Sequence, residues 1–168
     1  PEQTIAFFDT EAPPKASRNN LRAWAGLAVA QIGILLDEPA FVDWAKATNH
    51  VMLDGAAPDG SLPLETARAK YALHYQLHAV APLVTSSALL CEAGYGIAED
   101  REAELAKLTK VVDFTLKAVE DPAIVEEITS QPQTIEKGLK PKDHKTAWLE
   151  PYLALTGDEA LSARIEAL

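Results

Sequence analysis

Five side chains that can exchange protons or form hydrogen bonds recur at helical spacing between residues 68 and 78. At about 100° per residue they fall within an arc of roughly 120° on a helix; the five are Arg68, Tyr71, His74, Tyr75 and His78. Aliphatic residues occupy the opposite side. Because a surface helix normally carries Lys and Glu on its wet face, this pattern predicts a helix that packs by its aliphatic side and lines a cleft with its rings.

A structural role for these rings is the alternative interpretation. Tyr and His often lie half-buried between helices with one hydrogen bond satisfied, so any single ring could belong to a core. The chain would then be a helical interaction domain whose rings carry no chemistry. Four rings on one face favour a functional surface over four separate core positions.

A second predicted helix, residues 19–36, carries an amide, an indole and another amide along one strip. These side chains are Asn20, Trp24 and Gln31, whereas Arg22 falls on the opposite side. An indole face suits a sugar ring because both are flat and amphipathic. Helix capping by Asn19 or Asn20 is the alternative explanation for the two asparagines.

Metal and thiol chemistry are not expected from the sequence. His74 and His78 have the i, i+4 spacing of a metalloprotease helix, but Tyr75 stands where that motif requires Glu. Cys91 is the single cysteine and has no adjacent basic residue, so it lacks the setting of a reactive thiol. We therefore predict no metal, no cofactor and no covalent cysteine catalysis.

The composition limits the classes of partner. The chain has 168 residues, 48% of them hydrophobic, and a formal net charge of −10. Attraction to nucleic acid or to an anionic membrane is not expected at that charge, and no apolar stretch is long enough to cross a bilayer. Residues 15–78 contain six basic and six acidic side chains. An acidic substrate would therefore be held locally, in the part of the chain that also carries the rings.

The elements that position these residues are predicted to be helices throughout. Residues 1–16 are expected to form an extended lead-in, because Pro13 and Pro14 exclude helix there, and residues 17–168 a helical domain. Helices are predicted over residues 19–36, 39–53, 64–80, 83–93 and 100–119, with a break at Pro82. A short helix follows from residue 122, and the last part includes a polar loop at 130–143 and a helix holding Trp148 and Tyr152. The predicted fold class is all-α.

Four strings occur in an order that resembles a known family. They are NNLRAW (19–24), DGSLPLE (59–65), YALHYQLHA (71–79) and AWLEPY (147–152). Together they resemble the alginate lyase family of the mannuronate lyase type, over residues 17–156. The resemblance implies an α/α toroid, an incomplete barrel of antiparallel helix pairs. It also implies a bacterial periplasmic or secreted enzyme that cleaves uronate polysaccharides by β-elimination.

The chain resembles only the C-terminal half or so of such a domain. We therefore expect apolar faces left by the N-terminal helices to be covered by a second chain or copy that completes the toroid, or by altered packing. The expected partner in function is an acidic polysaccharide or oligosaccharide.

The resemblance assigns roles to residues and also shows departures. Asn20 matches the family's carboxylate-contacting asparagine, and Trp24 matches its tryptophan. Leu21 occupies the place of the catalytic histidine, Tyr71 that of an arginine and His78 that of the catalytic tyrosine. A lysine from the family's N-terminal half has no counterpart.

Two outcomes follow from these departures. Either His78 or His74 acts as the base, with Tyr75 or Tyr71 as the acid, or the chain binds acidic carbohydrate without cleaving it. Neutral histidine suits base chemistry near pH 7, and tyrosine serves readily as an acid. The predicted catalytic residues are Asn20, His74, Tyr75 and His78, and the predicted substrate-binding residues are Trp24, Arg68, Lys70 and Tyr71.

Overall fold

The computed structural model describes residues 1–98, 100–134, 144–158 and 160–162. The helices are α1 (Glu2–Ala6), α2 (Asn20–Leu36), α3 (Pro39–Asp54), α4 (Pro63–Thr66), α5 (Ala72–Glu92), α6 (Arg101–Glu120), α7 (Ala123–Thr129) and α8 (Leu149–Thr156). Short π-helical or 3-10 turns lie at Phe7–Glu11, Ala16–Arg18 and Ala69–Tyr71. The residues described contain no β-strand, so the predicted all-α class is confirmed. None of their helices is both long and apolar enough to span a membrane.

The first two long helices begin and end close to the predicted residues. Asn19 caps α2, because its side-chain oxygen accepts a hydrogen bond from the Leu21 N–H at 3.0 Å. Pro39 occupies the first turn of α3, where its missing N–H is tolerated. The two helices approach closely, since a Cβ placed on Gly26 would lie 2.6 Å from a methyl carbon of Thr48.

The prediction of an extended lead-in over residues 1–16 is wrong for its first part. Residues 2–11 are helical, because their side chains fold back onto α2 and α3. The Asp9 carboxylate accepts hydrogen bonds from Arg22 at 3.1 Å and from the Trp44 indole at 3.0 Å. The ring of Phe8 lies 6.4 Å from that of Trp44. The two prolines restrict only the residues next to them.

The predicted helix break is also misplaced. The helix expected over 64–80 is interrupted at residues 67–71, where Ala69 adopts a left-handed conformation with φ of 52°. By contrast, α5 continues through Pro82. A proline inside a helix costs about 3 kcal/mol, and burial of both faces around Pro82 offsets that cost, since Leu83 and Val84 are fully buried. Arg68 consequently lies outside the ring-bearing helix.

The core surrounds α5, which packs against α2, α3, α6 and α8. Its predicted aliphatic side is confirmed, because Leu73, Leu77 and Val80 have at most 1% of their surface exposed. The same side carries one buried amide, Gln76, which accepts a hydrogen bond from the Leu62 N–H at 2.9 Å and donates one to Thr115 at 3.1 Å. The opposite side of α5 carries the rings. Of the loop predicted at 130–143, residues 135–143 lie outside the described residues.

Candidate functional site

Four rings from two helices meet in one cluster. The ring of Trp24 on α2 lies 5.3 Å from that of His78 on α5. His74 and His78 are nearly parallel, 6.0 Å apart at 9°. Tyr75 presents its edge to both imidazoles, at 5.2 and 6.5 Å. This ring cluster brings Trp24, one member of the predicted strip on α2, against the ring-bearing side of α5.

The ring cluster is accessible from outside. Trp24 has 40% of its surface exposed, His78 is exposed, and His74 and Tyr75 are half-buried. Exposure of Trp24 and His78 favours the functional interpretation of the four rings, whereas half-burial of His74 and Tyr75 fits a packing role equally well. The four rings form a surface on which a flat, partly apolar ligand can lie.

Cationic groups surround the cluster. The Arg68 guanidinium lies 4.7 Å from the centre of the Tyr75 ring, within range of a cation–π interaction. His144 and Lys145 act electrostatically on the histidines. Helical spacing does not reveal these two residues, because they lie 66 or more positions after the histidines and only the tertiary fold brings them near. Arg68 and Lys145 thus bring positive charge to the ring cluster of a protein whose net charge is −10.

The two histidines are biased toward the neutral form. Burial lowers the pKa of His74, and the charges of Lys145 and His144 lower it further. His78 is exposed only in part, and the partial burial of its ring also lowers its pKa, with further contributions from His74 and His144. A neutral imidazole has a free nitrogen lone pair. Both rings are therefore able to accept a proton near pH 7.

Asn20 lies one helical turn before Trp24 and is buried, with 3% of its surface exposed. Its main-chain N–H donates to Glu65 Oε1 at 2.7 Å, and its side-chain amide donates to Glu65 Oε2 at 2.8 Å. Glu65 itself is completely buried, and that burial raises the pKa of its carboxyl. Glu65 ends the string DGSLPLE, where no role was predicted for it; its place in a short apolar stretch is the signal that could have indicated a buried carboxylate.

Tyr71 and Lys70 lie at the edge of the site. The Lys70 ammonium is 5.1 Å from the centre of the Tyr71 ring, which is 44% exposed. Gln133 fixes this edge, because it accepts a hydrogen bond from the Leu73 N–H at 3.1 Å and donates one to the Ala69 carbonyl at 3.2 Å. Helical spacing does not reveal Gln133, because it lies 60 positions after Leu73 and beyond the end of α7.

His50 belongs to a different part of the molecule. Its ring nitrogens contact Asp54 at 2.9 Å and Glu104 at 3.1 Å, on α3 and α6. Among the described residues, no three His, Cys, Asp or Glu side chains are placed where they could hold a metal ion.

Comparisons with known proteins identify the fold. The structure superposes on the crystal structure of alginate lyase A1-III from Sphingomonas species A1 with a TM-score of 0.77 and 21% identity, covering 94% of this chain and 46% of that one. A variant of that enzyme complexed with a tetrasaccharide gives a TM-score of 0.74 at 22% identity, over 91% of this chain and 44% of that one. The predicted α/α toroid is confirmed.

Sequence relatives are named as polysaccharide or alginate lyases. A polysaccharide lyase of Stenotrophomonas maltophilia is 35% identical over 119 residues, which is 71% of this chain and 34% of that protein. An alginate lyase of Pseudomonas aeruginosa is 31% identical over 152 residues, or 90% of this chain and 40% of that protein. The chain thus spans between a third and two fifths of these relatives. The sequence profile of the family described as alginate lyase matches residues 4–125, and the chain belongs to the alginate lyase family.

Proposed function

We propose that this protein acts on a uronate-containing polysaccharide of the alginate type, as a lyase that cleaves by β-elimination. The observation that carries the proposal is the ring-lined surface with cationic side chains beside it, on an acidic protein. Rings from α2 and α5 give a platform for sugars, and the neighbouring cations attract carboxylates. An anionic polymer is the ligand class that needs both features.

The reaction requires three functions that the site residues can supply. Asn20 hydrogen-bonds the uronate carboxylate, which makes the C5 proton more acidic. A neutral imidazole, His78 or His74, removes that proton. The freed electron pair forms the C4–C5 double bond as the C4–O4 bond breaks, and the departing O4 takes a proton from a tyrosine.

Tyr75 is the better placed acid of the two candidate tyrosines. Its ring touches both imidazoles, and the Arg68 guanidinium lies over it. Tyr71 and Lys70, at the edge, are better suited to holding a neighbouring sugar, and Trp24 provides the main stacking surface.

The test is the ultraviolet absorbance of the unsaturated product when the protein is mixed with alginate and with polyglucuronate. His78→Ala and His74→Ala are compared, and the variant that removes the base should lose about 100-fold or more of the rate. His50→Ala, which removes a histidine on α3, is the matched control and should not change the rate. Absence of product with both polymers contradicts the proposal, and binding without turnover would identify a carbohydrate-binding protein instead.

The proposal extends to what covers α2. Leu21, Leu35 and Leu36 are 53%, 83% and 63% exposed along this helix, more apolar surface than a solvent-facing helix normally carries. We propose that a second chain or copy packs there and completes the toroid. Sedimentation over a range of concentrations tests this, because a monomer at all concentrations would contradict it.

A periplasmic or secreted location is proposed from the family, and cell fractionation tests it.

A further inference from the structure

Glu65 is the one fully buried carboxylate that contacts a predicted site residue among the described residues. It lies on α4, 45 positions from Asn20, and both of its oxygens are used by that single residue. The main-chain bond satisfies an N–H at the start of α2, where helices leave such groups without partners. The side-chain bond gives the buried Asn20 amide a partner.

The second hydrogen bond fixes which way the Asn20 amide faces. An ionised carboxylate only accepts hydrogen bonds. If the amide were rotated by half a turn, its oxygen would face Glu65 Oε2 without a proton between them. Glu65 therefore permits one orientation, in which Nδ2 faces the carboxylate.

That orientation determines what Asn20 can offer a ligand. The amide nitrogen carries two hydrogens, and one of them is bound to Glu65. The other hydrogen and the amide oxygen are the groups left for a ligand. An amide of fixed orientation at a helix N-terminus is a suitable donor to an anion, because it loses little freedom on binding.

We propose that Glu65 is a positioning residue that fixes the Asn20 amide for recognition of a uronate carboxylate. The inference rests on the proposed function, since it assigns to Asn20 the contact with the acidic sugar. The charges of Glu65 and of the ligand oppose each other, and the burial that raises the pKa of Glu65 shows that the fold tolerates this carboxylate only at some cost.

The test uses Asn20→Ala, Glu65→Gln and the double variant, in the whole chain. Glutamine keeps the size of the side chain but can donate as well as accept, so both orientations of the Asn20 amide become acceptable. Glu104→Gln is the matched control: Glu104 is also a buried carboxylate, with 4% exposure, but it binds His50 and Lys107 on the α3–α6 side. Circular dichroism confirms that each variant is folded.

Two quantities are measured, the dissociation constant for an alginate tetrasaccharide and kcat/KM for elimination. Glu65→Gln should weaken binding roughly tenfold, Glu104→Gln should leave it unchanged, and Glu65→Gln should have no further effect once Asn20 is alanine. In NMR spectra, one Asn20 amide proton should move on addition of the tetrasaccharide in the unaltered chain and lose that response in Glu65→Gln.

Each outcome gives a decision. Additive effects of Glu65→Gln and Asn20→Ala, or a Glu65→Gln variant that behaves like Glu104→Gln, would overturn the positioning role while leaving the lyase function intact. Tetrasaccharide binding that follows the expected pattern without elimination would support the positioning role and refute the lyase activity. If the unaltered chain does not bind the tetrasaccharide, both are refuted.

Discussion

Two buried polar side chains hold residues 59–66, which form part of the connection between α3 and α5. Gln76 holds its first part, because it binds the Leu62 N–H and, at 3.5 Å, the Gly60 carbonyl. Glu65 holds its second part against Asn20. Both side chains are completely buried, yet Gln76 is neutral and surrounded by core, whereas Glu65 is ionisable and faces the site.

The difference shows how the fold divides its two tasks. A neutral amide with its hydrogen bonds satisfied stabilises the core equally at any pH. A buried acid makes stability depend on pH and is the more costly choice. We call Gln76 and the residues it binds the core anchor, and Glu65 with Asn20 the site anchor. We therefore expect changes at the core anchor to affect stability strongly and function only through unfolding. Changes at the site anchor should affect binding more than stability.

The largest effect is expected from Gly60→Ala at the core anchor. Gly60 has φ of +93°, and an added Cβ would overlap the Lys110 carbonyl on α6. We predict a loss of about 4 kcal/mol or more in the free energy of unfolding, measured by urea denaturation. Gly94→Ala is the control, since Gly94 has φ of +84° but no atom within 4 Å of the added Cβ. It should lose only about 1–2 kcal/mol, and equal losses in the two variants would show that the contact with α6 is unimportant.

A smaller loss is expected from Gln76→Met, which keeps the length of the side chain. The Leu62 N–H would then be buried without a partner, and Thr115 would lose its donor. We predict a loss of about 2–3 kcal/mol that does not change with pH. Gln31→Met, the same change at an exposed position of α2, should alter stability by less than about 0.5 kcal/mol. If the loss of stability varied with pH, Gln76 would not differ from Glu65 in the way described, because pH dependence is expected only of Glu65.

Glu65→Gln should change how stability depends on pH. Because burial raises the pKa of Glu65, the folded state binds more protons than the unfolded state between the ordinary pKa of glutamate and the raised one. Stability of the unaltered protein therefore falls as pH rises through that interval, and Glu65→Gln should remove this fall. Asp54→Asn should act in the opposite direction, since the hydrogen bond from Lys107 lowers the pKa of Asp54. Urea denaturation measures both, over a pH range that begins below the ordinary aspartate pKa of about 3.9 for Asp54 and extends to pH 7 for Glu65.

The sequence predicted the helices better than their interruptions. Aliphatic spacing placed Leu73 and Leu77 in the core, and Asn19 was foreseen as a cap, because both depend on local pattern. The left-handed turn at Ala69 and the uninterrupted helix at Pro82 were not predictable, since packing from distant elements decides them. The same limit explains the missed helix at residues 2–11, which depends on contacts with Trp44.

Within the site, the sequence identified the rings but not what holds them. His74, Tyr75 and His78 follow from helical spacing, and Trp24 from the strip on α2. Glu65, Gln133 and Lys145 act across 45 residues or more of chain, and no periodicity relates them to the rings. Arg68 lies beside Tyr75, but it reaches that ring from the turn before α5 and not from a position on the same helix.

The histidines on the site side of α5 should contribute a modest pH dependence of their own. Because their pKa values are lowered, the unfolded state binds more protons just below the ordinary histidine pKa of about 6.5. Stability should therefore fall as pH drops below that value, and His78→Ala should reduce the fall while costing less than about 1 kcal/mol at pH 7. His50→Ala should leave the contribution of the ring cluster in place. A loss of about 2–4 kcal/mol in His78→Ala would mean that the ring is a packing residue after all.

The smallest effect is expected at Ala69, which begins the short turn that carries Lys70 and Tyr71 at the edge of the site. Its φ of 52° is unfavourable for alanine, and glycine relieves that strain but loses more entropy on folding. We predict that Ala69→Gly gains up to about 1 kcal/mol, whereas Ala67→Gly, at φ of −66°, loses up to about 1 kcal/mol. Because Gln133 holds the Ala69 carbonyl, the gain should appear without weaker oligosaccharide binding. If Ala69→Gly binds the oligosaccharide more weakly and Ala67→Gly does not, the hydrogen bond from Gln133 is not enough to hold Tyr71 in place. The strained conformation of Ala69 would then contribute as well.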